Sequence, residues 1–267
     1  MADVTIFQAI TLGVVEGLTE FLPISSTGHM ILTSSMLHVP DDDFTKLFEI
    51  CIQLGAILSV VILYRNRFLR QGVDFYKKLL IAVCPALVLG FLFSKKIDAL
   101  LESDLTVAYT MLIGGVALLF VDKFFKHPEL NEAEKVTPGQ ALTIGFWQVL
   151  AMVPGMSRSA CTIVGGMQQK LTRKAAAEFS FFLAIPTMCA ATGYKLLKAL
   201  KTDPSLITSS DHLMLLVVGN VVAFITALLA IKTFIGFLQK HGFRLFGVYR
   251  VIMGLIVLGL IYTGHLT

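Results

Sequence analysis

Apolar residues in this chain run in long blocks instead of alternating with polar ones. A block of about 20 largely apolar residues is long enough to cross the hydrocarbon of a bilayer as a helix. Such blocks stand at roughly 46–64, 79–96, 105–122, 175–197, 212–235 and 247–264, which predicts six transmembrane helices. Two further apolar segments are interrupted midway, by Pro23-Ile24-Ser25-Ser26-Thr27-Gly28 and by Pro154-Gly155-Met156-Ser157-Arg158-Ser159, and then resume. Neither arm of either segment is long enough to span. Irregular backbone is tolerated at membrane depth only where it lines a protein cavity, so 4–38 and 140–168 are read as re-entrant helical hairpins whose tips meet near the bilayer centre.

The pattern recurs. Thr11-Leu12-Gly13 falls against Thr143-Ile144-Gly145, Pro23 and Ser26 against Pro154 and Ser157, Glu49 and Leu54 against Glu178 and Leu183, and Tyr109 and Gly114 against Tyr249 and Gly254. This order defines repeat 1 over about 4–125 and repeat 2 over about 139–264, within one membrane domain. A hairpin that returns to its own side, followed by three crossings, leaves the second repeat upside down. The expected fold is therefore an all-α polytopic membrane protein with an inverted-topology repeat, six full transmembrane helices and two re-entrant hairpins. Folds of this kind place substrate between discontinuous helices at the repeat interface.

Composition agrees. Charged residues are 15% of the chain and hydrophobic ones 55%, with a mean hydropathy of +0.77, against about 25% charged in soluble domains. The segment from Thr5 to Leu22 carries two glutamates and no flanking cleavage pattern, so it is not read as a signal peptide. The net charge of +4 follows from basic loops and calls for no nucleic-acid partner. Arg65, Arg67, Arg70, Lys77, Lys78, Lys123, Lys126, Lys135, Lys170, Arg173, Lys174, Lys240 and Arg244 fall on one side. Lys46, Lys95, Lys96, Lys195, Lys198 and Lys201 fall on the other. The richer side is expected to be cytoplasmic, which turns both termini and the mouth of the first hairpin outward. Cys51, Cys84, Cys161 and Cys189 lie in or beside apolar segments without paired spacing and are read as core packing.

Ionisable residues inside membrane segments are costly and mark function. Glu16 and Glu20, four apart, share a helix face. Such a pair needs a cation or a shared proton, and its oxygens suit Mg²⁺ or Ca²⁺; a polar pair bonded between helices is the simpler alternative. Ser25, Ser26, Thr27 and Gly28 open the returning half-helix, where free N–H groups form an anion site, although hydroxyls there also serve as caps. His29, three residues after Ser26, is a candidate base or proton donor, or else a packed side chain. The second tip repeats the hydroxyls with Ser157 and Ser159 and adds Arg158, whose fork matches phosphate oxygens unless Glu16 or Glu20 pairs with it. Glu49 and Gln53 share a face of the first full crossing and complete the candidate substrate-binding set, with interhelical hydrogen bonding as the alternative. Asp41-Asp42-Asp43 is read as a solvated loop, and His38, His127, His212, His241 and His265 are given no role.

Two motifs, Glu16-Gly-Leu-Thr-Glu20-Phe-Leu-Pro-Ile-Ser-Ser26-Thr-Gly-His29 and Pro154-Gly-Met-Ser-Arg158-Ser-Ala-Cys-Thr162, together with length and segment order, resemble the bacterial undecaprenyl-diphosphatase family, integral membrane phosphatases of the bacitracin-resistance type. The resemblance covers essentially the whole chain. It implies removal of the terminal phosphate from undecaprenyl diphosphate, a divalent-metal requirement, and a site open to the outer face of the bacterial cytoplasmic membrane. Carried onto these positions, it implies that Glu16 and Glu20 hold the metal or activate the nucleophile, Ser26 is the candidate nucleophile, His29 assists, and Arg158 clamps the diphosphate. Phosphoserine and direct water attack both remain open. The implied partners are a polyprenyl diphosphate and membrane lipids, with a homodimer as the candidate assembly. The rival class is a polyprenyl-phosphate transporter or flippase, since broken helices in inverted repeats are the common transporter plan. A structural scaffold would leave Glu16, Glu20 and Arg158 without a purpose.

Overall fold

The computed structural model describes residues 4–101 and 103–266, and these are all-helical. The helices are α1 (Ile6–Thr19), α2 (Ser26–Met36), α3 (Asp43–Leu63), α4 (Arg65–Phe68), α5 (Val73–Leu92), α6 (Ser94–Leu101) and α7 (Asp104–Phe124), then α8 (Pro138–Leu150), α9 (Arg158–Gln168), α10 (Arg173–Thr202), α11 (Ser205–Thr208), α12 (Ser210–His241) and α13 (Arg244–Tyr262). Six of them, α3, α5, α7, α10, α12 and α13, are long and apolar enough to cross a membrane. They coincide with the six blocks read from the sequence. Large apolar side chains such as Phe91, Ile113, Phe120, Leu229 and Leu255 lie exposed along them, as lipid-facing surface should. The protein is a multi-pass membrane protein.

Each interrupted segment forms a packed pair of short helices, α1 with α2 and α8 with α9. The two pairs are built alike. Thr5 and Gln8 form a capping box at the start of α1, as Thr137 and Gln140 do at the start of α8. The Gln8 amide then donates to the Leu37 carbonyl (2.9 Å) and the Gln140 amide to the Gln169 carbonyl (3.1 Å), tying the foot of one helix to the end of its mate. At the tips, Ser25 (φ 71°) and Ser157 (φ 69°) hold positive φ angles and cap α2 and α9 with their hydroxyls. Non-glycine residues rarely occupy that region. These equivalences correct the register taken from sequence: Ser25, not Ser26, is the counterpart of Ser157, so Ser26 corresponds to Arg158.

The helix pairs are enclosed by exchange. Helix α1 packs on α12 and α8 on α5, while α3 contacts α10 and α7 contacts α13. The shared Gly13 and Gly145 permit the first two crossings. A Cβ on Gly13 would meet the Gly219 carbonyl oxygen at 2.8 Å, and one on Gly145 would come within 3.0 Å of the Ala82 carbonyl carbon. The linker between α7 and α8 is strapped to the end of α9 by hydrogen bonds from Glu129 and Leu130 N–H to the Lys170 carbonyl. Arg67 clamps it further, gripping Glu134 through two nitrogens (2.6 and 2.9 Å) and buried Glu178 through the third (2.7 Å).

Of the cysteines, Cys51 and Cys161 are buried as expected, but Cys84 and Cys189 are exposed. They lie in α5 and α10 on faces that do not turn inward, so core packing is corrected for these two. The aspartate run is only in part a solvated loop: Asp42 caps α3 by accepting from Thr45 N–H (2.8 Å), and Asp43 begins the helix.

Candidate functional site

The tips of the two short-helix pairs touch. Proline at 23 and proline-glycine at 154–155 end α1 and α8 early, because proline cannot donate and clashes with the preceding turn. The loops then re-enter helix at Ser26 and Arg158. Between them lies a cavity of about 200 Å³ whose walls include Glu20, Ser25, Ser26, Thr27, Gln53, Ser157 and Arg158. Seven of the residues selected from sequence therefore converge on one space.

A chain of three side chains crosses this cavity. The Ser26 hydroxyl donates to Glu20 Oε2 (2.8 Å), and Arg158 Nη2 donates to Glu20 Oε1 (2.9 Å). Arg158 Nη1 donates to the Ser180 carbonyl (3.1 Å), and its guanidinium lies 5.7 Å from the centre of the Phe21 ring. The ion pair allowed by the sequence is thus formed, by Glu20 and not Glu16. Arg158 Nε, buried, has no hydrogen-bond partner. The first turns of both re-entering helices also face this region, so their unbonded N–H groups and positive ends favour an anion.

The other selected residues take different places. Glu16 is almost fully buried (1% exposed); Glu20, Glu49 and Arg158 are the charges that act on it, and its Oε1 has no hydrogen-bond partner. His29 does not pair with Ser26. Its Nδ1 lies 2.7 Å from the Ser25 carbonyl, which can only accept, so Nδ1 carries the proton and Nε2 accepts from the Tyr249 hydroxyl at 2.7 Å. Ser159, fully buried, donates to the Phe21 carbonyl (2.6 Å) and tethers one tip to the other. Gly28 gives α2 room against Met111 and donates its N–H to Ser25 Oγ (3.4 Å). Glu49 accepts from Ser34 (3.1 Å), which joins α3 to α2.

Sequence reasoning missed Arg250, Tyr249 as the partner of His29, and Ser180. Arg250 had a legible signal: it is a permanent cation within an apolar crossing, the same argument that singled out Arg158. Tyr249 and Ser180 carried none, because their roles arise from contacts between different helices, Tyr249 with His29 and Ser180 with Arg158.

Six apolar crossings around a buried centre of carboxylate, hydroxyl and guanidinium define a polytopic membrane protein equipped for anion and acid–base chemistry. More particularly, the chain belongs to the family described as bacitracin resistance protein BacA, whose family model matches residues 9–256. A protein of Flavobacterium johnsoniae named undecaprenyl-diphosphatase is 59% identical over 252 residues, covering 94% of each chain. Proteins of the same name from Bdellovibrio bacteriovorus (50% identical, 97% of each chain) and Aquifex aeolicus (45% identical, 94% of this chain and 97% of the relative) are similar over comparable lengths.

Proposed function

We propose that this chain is an integral membrane phosphatase that hydrolyses undecaprenyl diphosphate to undecaprenyl phosphate and inorganic phosphate. That activity returns the lipid carrier for cell-wall synthesis and gives resistance to bacitracin. The observation that carries this reading is the Ser26–Glu20–Arg158 chain, set in a cavity between two helix N-termini. The names of the relatives support the same substrate.

Phosphoryl transfer needs positioning and charge neutralisation more than covalent help from the protein. The diphosphate enters between the tips, where Arg158 and the tip N–H groups meet its oxygens. Glu20 takes the Ser26 proton as Ser26 Oγ attacks the terminal phosphorus, and passes it to the bridging oxygen as that bond breaks and the lipid monophosphate leaves. The freed Glu20 carboxylate then takes a proton from water, which attacks the phosphoserine, and returns it to Ser26 Oγ as the Oγ–P bond breaks and inorganic phosphate is released. Arg158, by holding Glu20 Oε1, keeps Oε2 turned to Ser26. His29, held by Tyr249 and Ser25, fixes the start of α2. Ser25, Ser157, Thr27 and Gln53 line the path of the substrate.

A divalent ion, Mg²⁺ or Ca²⁺, suits this centre. The unpartnered oxygen of Glu16, with Glu20, supplies two carboxylates, and no cluster of three or more metal-ligating side chains forms among the described residues. Mg²⁺ takes one or two carboxylates and completes its shell with substrate phosphates and water, so Glu16 and Glu20 would be the residues to hold it. When bound, the ion neutralises charge on the diphosphate.

The matched caps, the matched positive-φ serines and the exchange of α1 and α8 between α12 and α5 support an inverted repeat with two re-entrant hairpins meeting at membrane depth. The basic-residue count supports opening of the site to the outer face of the bacterial cytoplasmic membrane. The same repeat keeps a flippase as the second reading. Against it, Glu178, the counterpart of Glu49, is engaged by Arg67 and through it by the strapped linker, which favours one open side.

The test is phosphate release from undecaprenyl diphosphate by purified protein. Activity that vanishes with EDTA and returns with Mg²⁺ or Ca²⁺ is expected; no release under any metal condition sinks the proposal. Protein-dependent transfer of labelled lipid between leaflets, without phosphate release, would favour the flippase.

A further inference from the structure

Arg250 is buried completely in α13, and its terminal nitrogens donate to main-chain carbonyls. They reach Gly155 (2.8 Å) and Met156 (3.1 Å) in the second tip, Pro23 (3.4 Å) in the first, and Thr110 (3.3 Å) in α7. One guanidinium therefore joins both tips from behind.

The consequence lies on the opposite side of the same peptide units. A trans peptide carries its C=O and N–H in opposite directions, and no cis bond occurs among the described residues. Holding the Met156 carbonyl toward Arg250 turns the Ser157 N–H away from it, and Ser157 lines the cavity. This peptide does not rest there unaided. Gly155 (φ 87°) and Ser157 (φ 69°) both lie in the left-handed region, and such conformations persist where their surroundings over-determine them.

We propose that Arg250 is a positioning residue for the phosphatase: by gripping the tip carbonyls it aims the Ser157 N–H at the phosphate bound between the tips and keeps the two tips in register. This rests on the reading that the diphosphate sits in that cavity. Lysine at 250 is not equivalent, because an ammonium lacks the planar fork that reaches several carbonyls at once.

The test uses full-length protein with two variants. Arg250→Lys removes the fork. Gly114→Ala leaves Arg250 in place but sets a Cβ 2.8 Å from its Cζ, forcing the guanidinium to move. In both, kcat for phosphate release is expected to fall about 10- to 100-fold, less than the ~10²- to 10³-fold of deleting an oxyanion donor, with KM within about threefold. The Ki of orthovanadate, a mimic of the transferring phosphoryl group, should rise by the same factor, and amide exchange over 151–160 and 21–25 should quicken. Wild-type kcat and vanadate Ki in folded variants overturn the proposal. So does a kcat that falls only with the folded fraction while vanadate Ki holds. Should Arg250→Lys fail to fold, Gly114→Ala decides alone. If the wild type neither releases phosphate nor binds vanadate, the phosphatase reading fails instead; faster exchange in the tips then supports the clamp, and unchanged exchange overturns it.

Discussion

Replacing Glu20 by glutamine keeps the shape of the side chain and removes its charge, which separates two roles that the geometry gives to one carboxylate. In the native chain Oε2 accepts from Ser26 at 2.8 Å and Oε1 accepts from Arg158 at 2.9 Å, with the Glu20 and Arg158 side chains both largely buried. Glutamine cannot take the Ser26 proton. Losing a general base costs about 10²- to 10⁴-fold in kcat, or about 3–5 kcal/mol of barrier. The same change leaves Arg158 without its counter-charge, and breaking one partner of a buried pair costs about 3–5 kcal/mol of stability. Arg158→Met combined with Glu20→Gln removes the orphaned cation. The double variant should therefore recover much of the lost thermal stability and none of the activity. Unfolding is followed by fluorescence-detected size exclusion after heating, and activity by phosphate release from undecaprenyl diphosphate in micelles. A folded Glu20→Gln protein with native kcat would refute the acid–base role outright. A double variant less stable than Glu20→Gln would refute the ion-pair reasoning.

Ser26→Ala should lower kcat by about 10³-fold or more, as expected when a covalent nucleophile is lost; radiolabelled phosphate trapped on the wild type and not on the variant checks it, and activity within about tenfold of wild type assigns the attack to water. Gly17→Ala should cost about 1–3 kcal/mol, because its Cβ would fall 2.9 Å from the Ala227 nitrogen and closer still to the Ala223 carbonyl oxygen of α12; a melting temperature equal to wild type would show that α1 can back away freely. Burial raises the Glu134 carboxyl, but the hydrogen bonds and charge of Arg67 outweigh it and hold its pKa below the ordinary 4.5. A group depressed in the folded state contributes stability that is present above its unfolded pKa and lost as pH falls through the folded one. Heat stability measured from pH 6 down to pH 3 should accordingly drop in the wild type and less so in Glu134→Gln; parallel curves would remove Arg67–Glu134 as the acid-sensitive clamp.

The order of apolar blocks was enough to determine six crossings and two interrupted segments, because the length of a lipid-soluble helix and the early stop at Pro23 and at Pro154-Gly155 are properties of local sequence. The cost of placing Glu16, Glu20 and Arg158 among apolar residues likewise singled them out along the chain, and two of them, Glu20 and Arg158, meet across the tips. What local sequence did not contain was the pairing. Sequence neighbours suggested His29 for Ser26, yet three residues along α2 the imidazole turns to Tyr249, and Ser26 meets Glu20 across the tip. The register of the repeat slipped by one for the same reason: identity aligned Ser26 with Ser157, while backbone conformation matches Ser25 with it. Arg250 acts on carbonyls from both tips, contacts that exist only once α13 lies against α7. Hydropathy and charge are written residue by residue and can be read along the chain; which helix face turns inward and which side chains become hydrogen-bond partners are chosen by packing, and only the folded chain brings them together.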